Sequence, residues 1–238
     1  MTPRSITAQN QTEGEPPQST LPIATITVVA LTAIVTSLQW VYPALLPLLD
    51  RNQAALLTGQ WWRLVSPRLV QPEIWPQYIL LAILAVVGVP VERRLGSLRW
   101  LIVWLVGSTV GEVISYQWQP QGAGASLGLF ALIGAWLALL LRRQPAGPWW
   151  VAVVAFALLI DLIGAAMGSA LVGAIAAALM AALIVQLRQR AAWSQLLPAL
   201  GVVGLFGGLV LCGMRDQHGP PLLAGAAVAA VLIAVAQR

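Results

Sequence analysis

Long runs of apolar residues, separated by short polar segments, fill most of the chain after residue 20. A helix needs roughly 17 to 25 residues to cross a ~30 Å hydrocarbon core. We divide the longest run, near Asp161, at the small-residue cluster 164–169, because it exceeds one helix. The pattern then predicts about eight spans, at 21–48, 78–91, 100–116, 125–141, two within 149–187, 196–213 and 220–236.

Composition sharpens this picture. Hydrophobic residues make up 59% of the 238 positions and charged residues only 9%, whereas soluble domains carry about 25% charged residues. Soluble, fibrous and disordered classes are therefore excluded. Because backbone groups in lipid must be satisfied within each span, we predict an all-α polytopic membrane protein, with a transmembrane domain over 21–238.

Two segments do not fit the apolar pattern. Residues 1–20 are polar and contain proline, which predicts a disordered cytoplasmic tail. Residues 50–77 contain three arginines and three tryptophans, too polar for a span. Tryptophan is enriched at the headgroup level of membranes, so we predict that 50–77 is an interfacial outer loop.

The net charge of +5 comes from 13 basic residues, all of them arginine. They lie mostly in short loops rather than along one stripe, which argues against nucleic acid as a partner. If both termini are cytoplasmic, the arginines follow the positive-inside bias. The inner set is Arg4, Arg93, Arg94, Arg99, Arg142, Arg143, Arg188, Arg190 and Arg238, and the outer set is Arg51, Arg63, Arg68 and Arg215. The location predicted is a membrane, and the lysine-free, alanine-rich composition favours a bacterial plasma membrane.

Two polar residues stand at the starts of spans that run in the same direction. Ser126 opens the fourth run and His218, the only histidine, opens the eighth. Both should therefore lie at the same membrane face, where a neutral histidine could activate the serine hydroxyl. The alternative from the residues alone is a helix N-cap serine and an interfacial histidine. With one histidine and one cysteine, we expect no metal site and no cofactor.

Glu112 lies inside the third run, where an ionisable group is costly and suggests function. We expect it to face the bundle interior and to support the site by contacting the Gly122–Ser126 segment or His218. The alternative is a packing role in which it bonds only to Ser108 or Ser115.

Four short motifs resemble those of the rhomboid family of intramembrane serine proteases. They are Trp62-Arg63 in the outer loop, Gly88-x3-Glu92-x3-Gly96 at the end of the second span, Gly124-Ala-Ser126-Leu-Gly-Leu-Phe130, and Gly213-x4-His218-x2-Pro221-x3-Gly225. The resemblance implies a rhomboid-like helical bundle with a six-helix core plus two extra spans. It implies that Ser126 is the nucleophile and His218 the general base, without an aspartate. It also implies that transmembrane segments of other proteins are cleaved near their outer ends.

The chain departs from the family pattern in three places. Leu127 stands where the family prefers glycine, and Pro221 where a glycine lets two helices pack closely. The family's oxyanion histidine and asparagine correspond to Pro76 and Leu80. The nearest amides, Gln77 and Gln71, are candidate replacement donors, with Gly124 and its neighbouring backbone as further support.

Two other functions stay open. An alternative alignment places Ala166 in the slot of the base, which would make the chain a catalytically inactive relative that binds transmembrane clients. We prefer His218 because its motif contains the histidine itself and because an even number of inserted spans preserves orientation. A small transporter with a proton relay through Glu112, Asp161 and His218 is the third hypothesis, although no inverted repeat is visible.

Overall fold

The computed structural model describes residues 21–144, 147–190 and 193–237. Within these residues eight long helices form a bundle, which confirms the predicted all-α fold. They are α1 (Ile23–Val41), α4 (Ile74–Leu95), α5 (Ser97–Trp118), α6 (Ser126–Leu141), α7 (Trp150–Ala166), α8 (Ala170–Arg190), α9 (Trp193–Gly213) and α10 (Gly219–Ala236), with two short helices, α2 (Leu45–Leu49) and α3 (Gln53–Leu57), after α1. The predicted tail, 1–20, lies outside the described residues.

The helix boundaries follow the apolar runs with one clear difference. α1 ends shortly before Pro43, and the break between α7 and α8 falls inside the predicted cluster 164–169. α4, however, begins at Ile74, so Gln77 belongs to this helix and the outer loop is shorter than 50–77. Pro76 is compatible with this earlier start, because N–H groups in a first helical turn have no partner within the helix.

Most of the long helices are apolar enough to lie in a membrane. Five described helices, α1, α5, α8, α9 and α10, are long and apolar enough to cross a membrane, and α6 and α7 are shorter apolar helices. The chain is therefore a multi-pass membrane protein.

Helix α6 forms the centre of the bundle. Its residues are buried without interruption from Leu127 to Leu140, and it packs against α4, α5, α9 and α10. A helix that is apolar on every face is either covered by protein or in contact with lipid, and α6 is covered by its neighbouring helices. The position of α6 thus places its first residue, Ser126, where several helices meet.

Small residues allow α10 to lie close to α6. A Cβ atom on Gly225 would stand 2.0 Å from the Ala131 carbonyl oxygen, and one on Gly134 would stand 1.9 Å from that of Leu222. Glycine is required at both positions for this backbone contact. Helix α8, in contrast, packs mainly against α7.

The outer loop is tied to the segment that precedes α6. After α2, the two-residue strand β1 (Arg51–Asn52) pairs antiparallel with β2 (Gln121–Gly122). Helix α3 and two 3₁₀ turns, Trp61–Leu64 and Ser66–Leu69, complete the loop before α4. The strand pair holds the loop beside the start of α6.

Candidate active site

Ser126 and His218 meet at the N-terminal ends of two adjacent helices. Ser126 is the first residue of α6, and His218 immediately precedes α10. The Ser126 Oγ lies 3.0 Å from His218 Nε2, within hydrogen-bond distance. The two residues are far apart in sequence, and the packing of α10 along α6 brings them together.

The backbone before Ser126 is shaped by Gly124. This residue has a φ of +130°, which disfavours any side chain, and a Cβ there would lie 2.3 Å from the Gln71 Oε1. The Gly124 N–H donates to the Pro67 carbonyl at 2.8 Å. The Gly124 conformation and this bond turn the chain into α6 and fix the position of the serine.

The Gln77 side chain makes two hydrogen bonds, to the backbone of Ala125 and of Arg68. Its Oε1 accepts a hydrogen bond from the Ala125 N–H at 3.3 Å, and its Nε2 donates to the Arg68 carbonyl at 3.4 Å. The amide therefore presents its oxygen, not its N–H, to the segment before Ser126. It connects α4 and the loop to the start of α6.

The His218 ring is held on three sides. Besides Ser126, Asp216 Oδ1 lies 2.7 Å from His218 Nδ1, and the Phe130 ring centroid lies 4.9 Å from that of His218. Burial opposes ionisation of the Asp216 carboxyl, but its hydrogen bonds and attraction to His218 hold its pKa below the ordinary value. Asp216 falls on an unspecified position of the motif that contains His218. Its only signal was an acidic residue two positions before the histidine in a short polar turn.

Glu112 faces the bundle interior and forms an ion pair with Arg51. Its Oε1 lies 3.6 Å from Arg51 Nε, and each side chain is 2% exposed. Both line a small cavity with Gly124, Ser126 and Gln217. The outer loop supplies the partner, because β1 carries Arg51 to the start of α6.

The two serines considered as partners of Glu112 bond elsewhere. The Ser108 hydroxyl donates to the Trp104 carbonyl and that of Ser115 to the Gly111 carbonyl, each one turn earlier in α5. The ion pair of Glu112 is thus with Arg51 of the outer loop rather than with a group of its own helix, and Glu112 shares a cavity with Ser126.

Arg63 holds the outer loop together. Its guanidinium donates to the Asp50 and Pro47 carbonyls, at 2.7 and 2.9 Å, and its Nη1 also bonds the Asp50 carboxylate at 2.7 Å. The neighbouring Trp62 is half exposed, and its Nε1 donates to the Leu48 carbonyl at 3.3 Å. Both motif residues contact α2 and its end, not Ser126.

The Gly88, Glu92 and Gly96 motif joins three helices at the opposite end of the bundle. The Glu92 carboxylate accepts the N–H groups of Ala24 and Thr25 at 2.8 and 2.7 Å, which caps the first turn of α1. A Cβ on Gly88 would make a tight contact of 3.2 Å with the Thr25 side chain, and Gly96 has a φ of +81° in the turn between α4 and α5. These are structural positions.

Ala166, the residue in the alternative base position, is exposed at the end of α7. Helix α8, which follows it, packs mainly against α7, whereas α10 packs along α6. Of α8 and α10, the helix whose N-terminus lies beside Ser126 is therefore α10, which begins after His218.

Within the described residues, no group of three or more His, Cys, Asp or Glu side chains could hold a metal ion. The titratable groups gathered around Ser126 are one histidine, two carboxylates and one guanidinium. This set suits proton transfer and hydrogen bonding.

Comparisons with known proteins find a family match over the middle of the chain. The model of the Rhomboid domain matches residues 58–191, more than half of the chain. The matched region contains Ser126 and ends before α9 and α10. The chain is 32% identical over 95 residues to Rhomboid protease GluP of Bacillus subtilis. The aligned region covers 40% of this chain and 19% of that protein.

A plant relative shows a similar degree of identity. The chain is 31% identical over 83 residues to RHOMBOID-like protein 9, chloroplastic, of Arabidopsis thaliana. The aligned region covers 34% of this chain and 19% of that relative. The aligned region thus spans about a fifth of each of these two relatives. No solved structure shows significant similarity to the chain.

Proposed function

Since the chain belongs to the rhomboid family, we propose that it is an intramembrane serine endopeptidase with Ser126 as nucleophile and His218 as general base. The observation that carries the proposal is the 3.0 Å distance between Ser126 Oγ and His218 Nε2. A serine hydroxyl is a weak nucleophile until a neighbouring base accepts its proton. The proposed substrates are transmembrane segments of other membrane proteins, cut near their outer ends.

In the first half of the proposed reaction, Ser126 Oγ attacks the carbonyl carbon of the scissile peptide bond while His218 Nε2 takes the hydroxyl proton. The tetrahedral intermediate collapses when the imidazolium gives this proton to the leaving amine. The peptide C–N bond breaks, and the acyl group remains on Ser126. The geometry supplies both transfers through the same nitrogen.

The start of α6 supplies hydrogen-bond donors for the developing oxyanion. The first N–H groups of a helix have no partner within the helix, and the helix dipole favours negative charge there. Ser126 is the first residue of α6. The former carbonyl oxygen of the intermediate, on the carbon that Oγ has attacked, therefore lies near those donors. Backbone N–H groups thus serve in place of the histidine and asparagine that are absent from α4.

In the second half of the reaction, a water molecule attacks the acyl carbon. His218 takes a proton from that water and returns it to Ser126 Oγ as the ester bond breaks. The products are a peptide carboxylate and the free serine. The polar cavity formed by Arg51, Glu112 and Gln217 borders Ser126, so a hydrophilic environment exists on one side of the nucleophile.

A fluorophosphonate probe tests the proposed nucleophile directly on the protein in its membrane. The wild type should be labelled covalently, Ser126→Ala should not, and His218→Ala should react about 10²–10⁴ times more slowly because the base is lost. Ser194→Ala, which removes an exposed serine in α9, is the matched control and should be labelled at the wild-type rate.

Cleavage of a single-span reporter in proteoliposomes then tests the substrate class. Mass spectrometry should locate the cut near the outer end of the span, and the cut should vanish in Ser126→Ala. A wild type that neither reacts with the probe nor cleaves, yet binds the reporter, would favour the client-binding function instead.

A further inference from the structure

The Asp216 carboxylate lies on the side of the His218 ring opposite to Ser126. Its Oδ1 is 2.7 Å from Nδ1, whereas Ser126 Oγ is 3.0 Å from Nε2. The Asp216 and His218 side chains are 16% and 11% exposed, respectively. The three side chains thus form one hydrogen-bonded chain that is largely shielded from solvent.

The turn between α9 and α10 fixes this carboxylate at several points. Arg215 takes a positive φ of 56°, and the Asp216 N–H donates to the Leu211 carbonyl at 2.9 Å. The same Oδ1 that faces the imidazole also accepts the His218 backbone N–H at 2.8 Å. The carboxylate is therefore already oriented toward the ring by backbone contacts.

This arrangement has a consequence for the tautomer of the neutral imidazole. An ionised carboxylate only accepts hydrogen bonds, so a contact at 2.7 Å requires the proton on Nδ1. The lone pair of Nε2 is then directed to the Ser126 hydroxyl, which is the form that a general base needs. When Nε2 takes a proton, the carboxylate faces an imidazolium through a charge-assisted hydrogen bond.

We propose that Asp216 is a positioning residue that holds His218 in the Nδ1–H tautomer and stabilises its imidazolium during proton transfer. The kinetic part of this proposal rests on the proposed function of Ser126 and His218, whereas the tautomer follows from the geometry alone. The site would then consist of three hydrogen-bonded residues rather than the two-residue dyad that its motifs imply.

A purely architectural role gives different expectations. If Asp216 only closes the turn through the His218 backbone N–H, any side chain with an oxygen at that place would serve equally well. Asp216→Asn keeps the size and the acceptor oxygen but removes the charge. This variant therefore separates support of the turn from stabilisation of the imidazolium.

The tautomer is measurable because the chain contains one histidine. With [¹⁵N]histidine labelling and a histidine-free purification tag, NMR in detergent gives one pair of imidazole nitrogens. In the neutral form of the ring, we expect the proton on Nδ1 in the wild type and in Ser126→Ala. Asp216→Ala should populate the Nε2–H form. A wild-type proton on Nε2 would overturn the proposal.

Labelling rates test the kinetic part. Asp216→Asn should keep the wild-type melting temperature and react with the fluorophosphonate about tenfold more slowly, since the charge-assisted bond becomes neutral. Asp161→Asn removes an exposed carboxylate on α7 and should react as the wild type does. Asp216→Asn labelled at the wild-type rate would contradict the role of the charge.

The two proposals fail in distinguishable ways. If the wild type is not labelled at all, the proposed function is wrong, and the NMR spectrum still reports the contact between Asp216 and His218. If labelling depends on Ser126 and His218 but not on Asp216, the proposed function stands and the positioning role is wrong.

Discussion

Arg51 and Glu112 show how a single residue depends on a partner that is remote in sequence. Glu112 is recognisable in the sequence as a carboxylate inside an apolar run. Its counterion comes from the two-residue strand β1, which the apolar pattern does not reveal. The pair lines the cavity beside Ser126, so its integrity affects both folding and the site.

We predict that Glu112→Leu destabilises the protein by about 3–5 kcal/mol, because it leaves the buried Arg51 charge without a counterion. Glu112→Gln retains the shape of the side chain and should lose less stability than Glu112→Leu. The double variant Glu112→Leu with Arg51→Met should recover most of the loss, since neither charge remains. Thermal unfolding in detergent measures all three.

The exposed Glu73 provides the control for this series. Glu73→Leu should melt close to the wild type, because its carboxylate is in contact with solvent. An unchanged melting temperature for Glu112→Leu would show that the ion pair contributes little to folding.

At the scale of helices, the site depends on how closely α10 approaches α6. Gly225 and Gly134 allow backbone contact between these helices, and Gly111 of α5 faces the Pro221 ring, where an added Cβ would lie 2.8 Å away. Pro221 replaces a glycine of the family motif, and the missing side chain at Gly111 leaves room for its ring. The close packing is therefore preserved by a small residue on the neighbouring helix.

We predict that Gly225→Ala costs about 1–3 kcal/mol through overpacking and separates His218 from Ser126 by displacing α10. Probe labelling should fall together with the melting temperature. Gly213→Ala is the matched control, because no atom lies within 4 Å of an added Cβ there. Normal labelling of Gly225→Ala would mean that α10 can shift without moving the histidine.

At the scale of the whole molecule, helix direction links topology to the site. Because Ser126 and His218 lie at the N-terminal ends of α6 and α10 and touch each other, these two helices begin at the same face. Three long helices, α7, α8 and α9, separate them in the described part of the chain. An odd number of intervening spans is what this geometry requires.

The arginine distribution predicts which face is cytoplasmic. Reporter fusions after Arg143 and after Arg190 should read cytoplasmic, and a fusion at Gln119 should read external. Protease protection of sealed vesicles checks the same three positions. An external reading at Arg190 would contradict the order of spans that brings α6 and α10 to one face.

The sequence alone was sufficient to predict much of the fold of this protein. Apolar runs predicted the eight long helices and their approximate bounds, because a span must be long enough to cross lipid and must satisfy its own backbone. Local motifs made Ser126, His218 and Glu92 candidates, because the glycine spacing around them can be read directly along the chain. The early start of α4 was missed, because Trp75 and Pro76 resemble loop residues when the packing of α4 is unknown.

Only the tertiary structure decided which residues meet. The pairing of Arg51 with Glu112, the acceptor role of Gln77 and the approach of Asp216 to His218 depend on helix packing and on a two-residue strand pair. None has a periodic or motif signal, because a side-chain contact is set by three-dimensional distance and not by spacing along the chain. The approach of His218 to Ser126 has the same cause: α10 packs along α6, since glycines on α6 and α10 allow their backbones to touch.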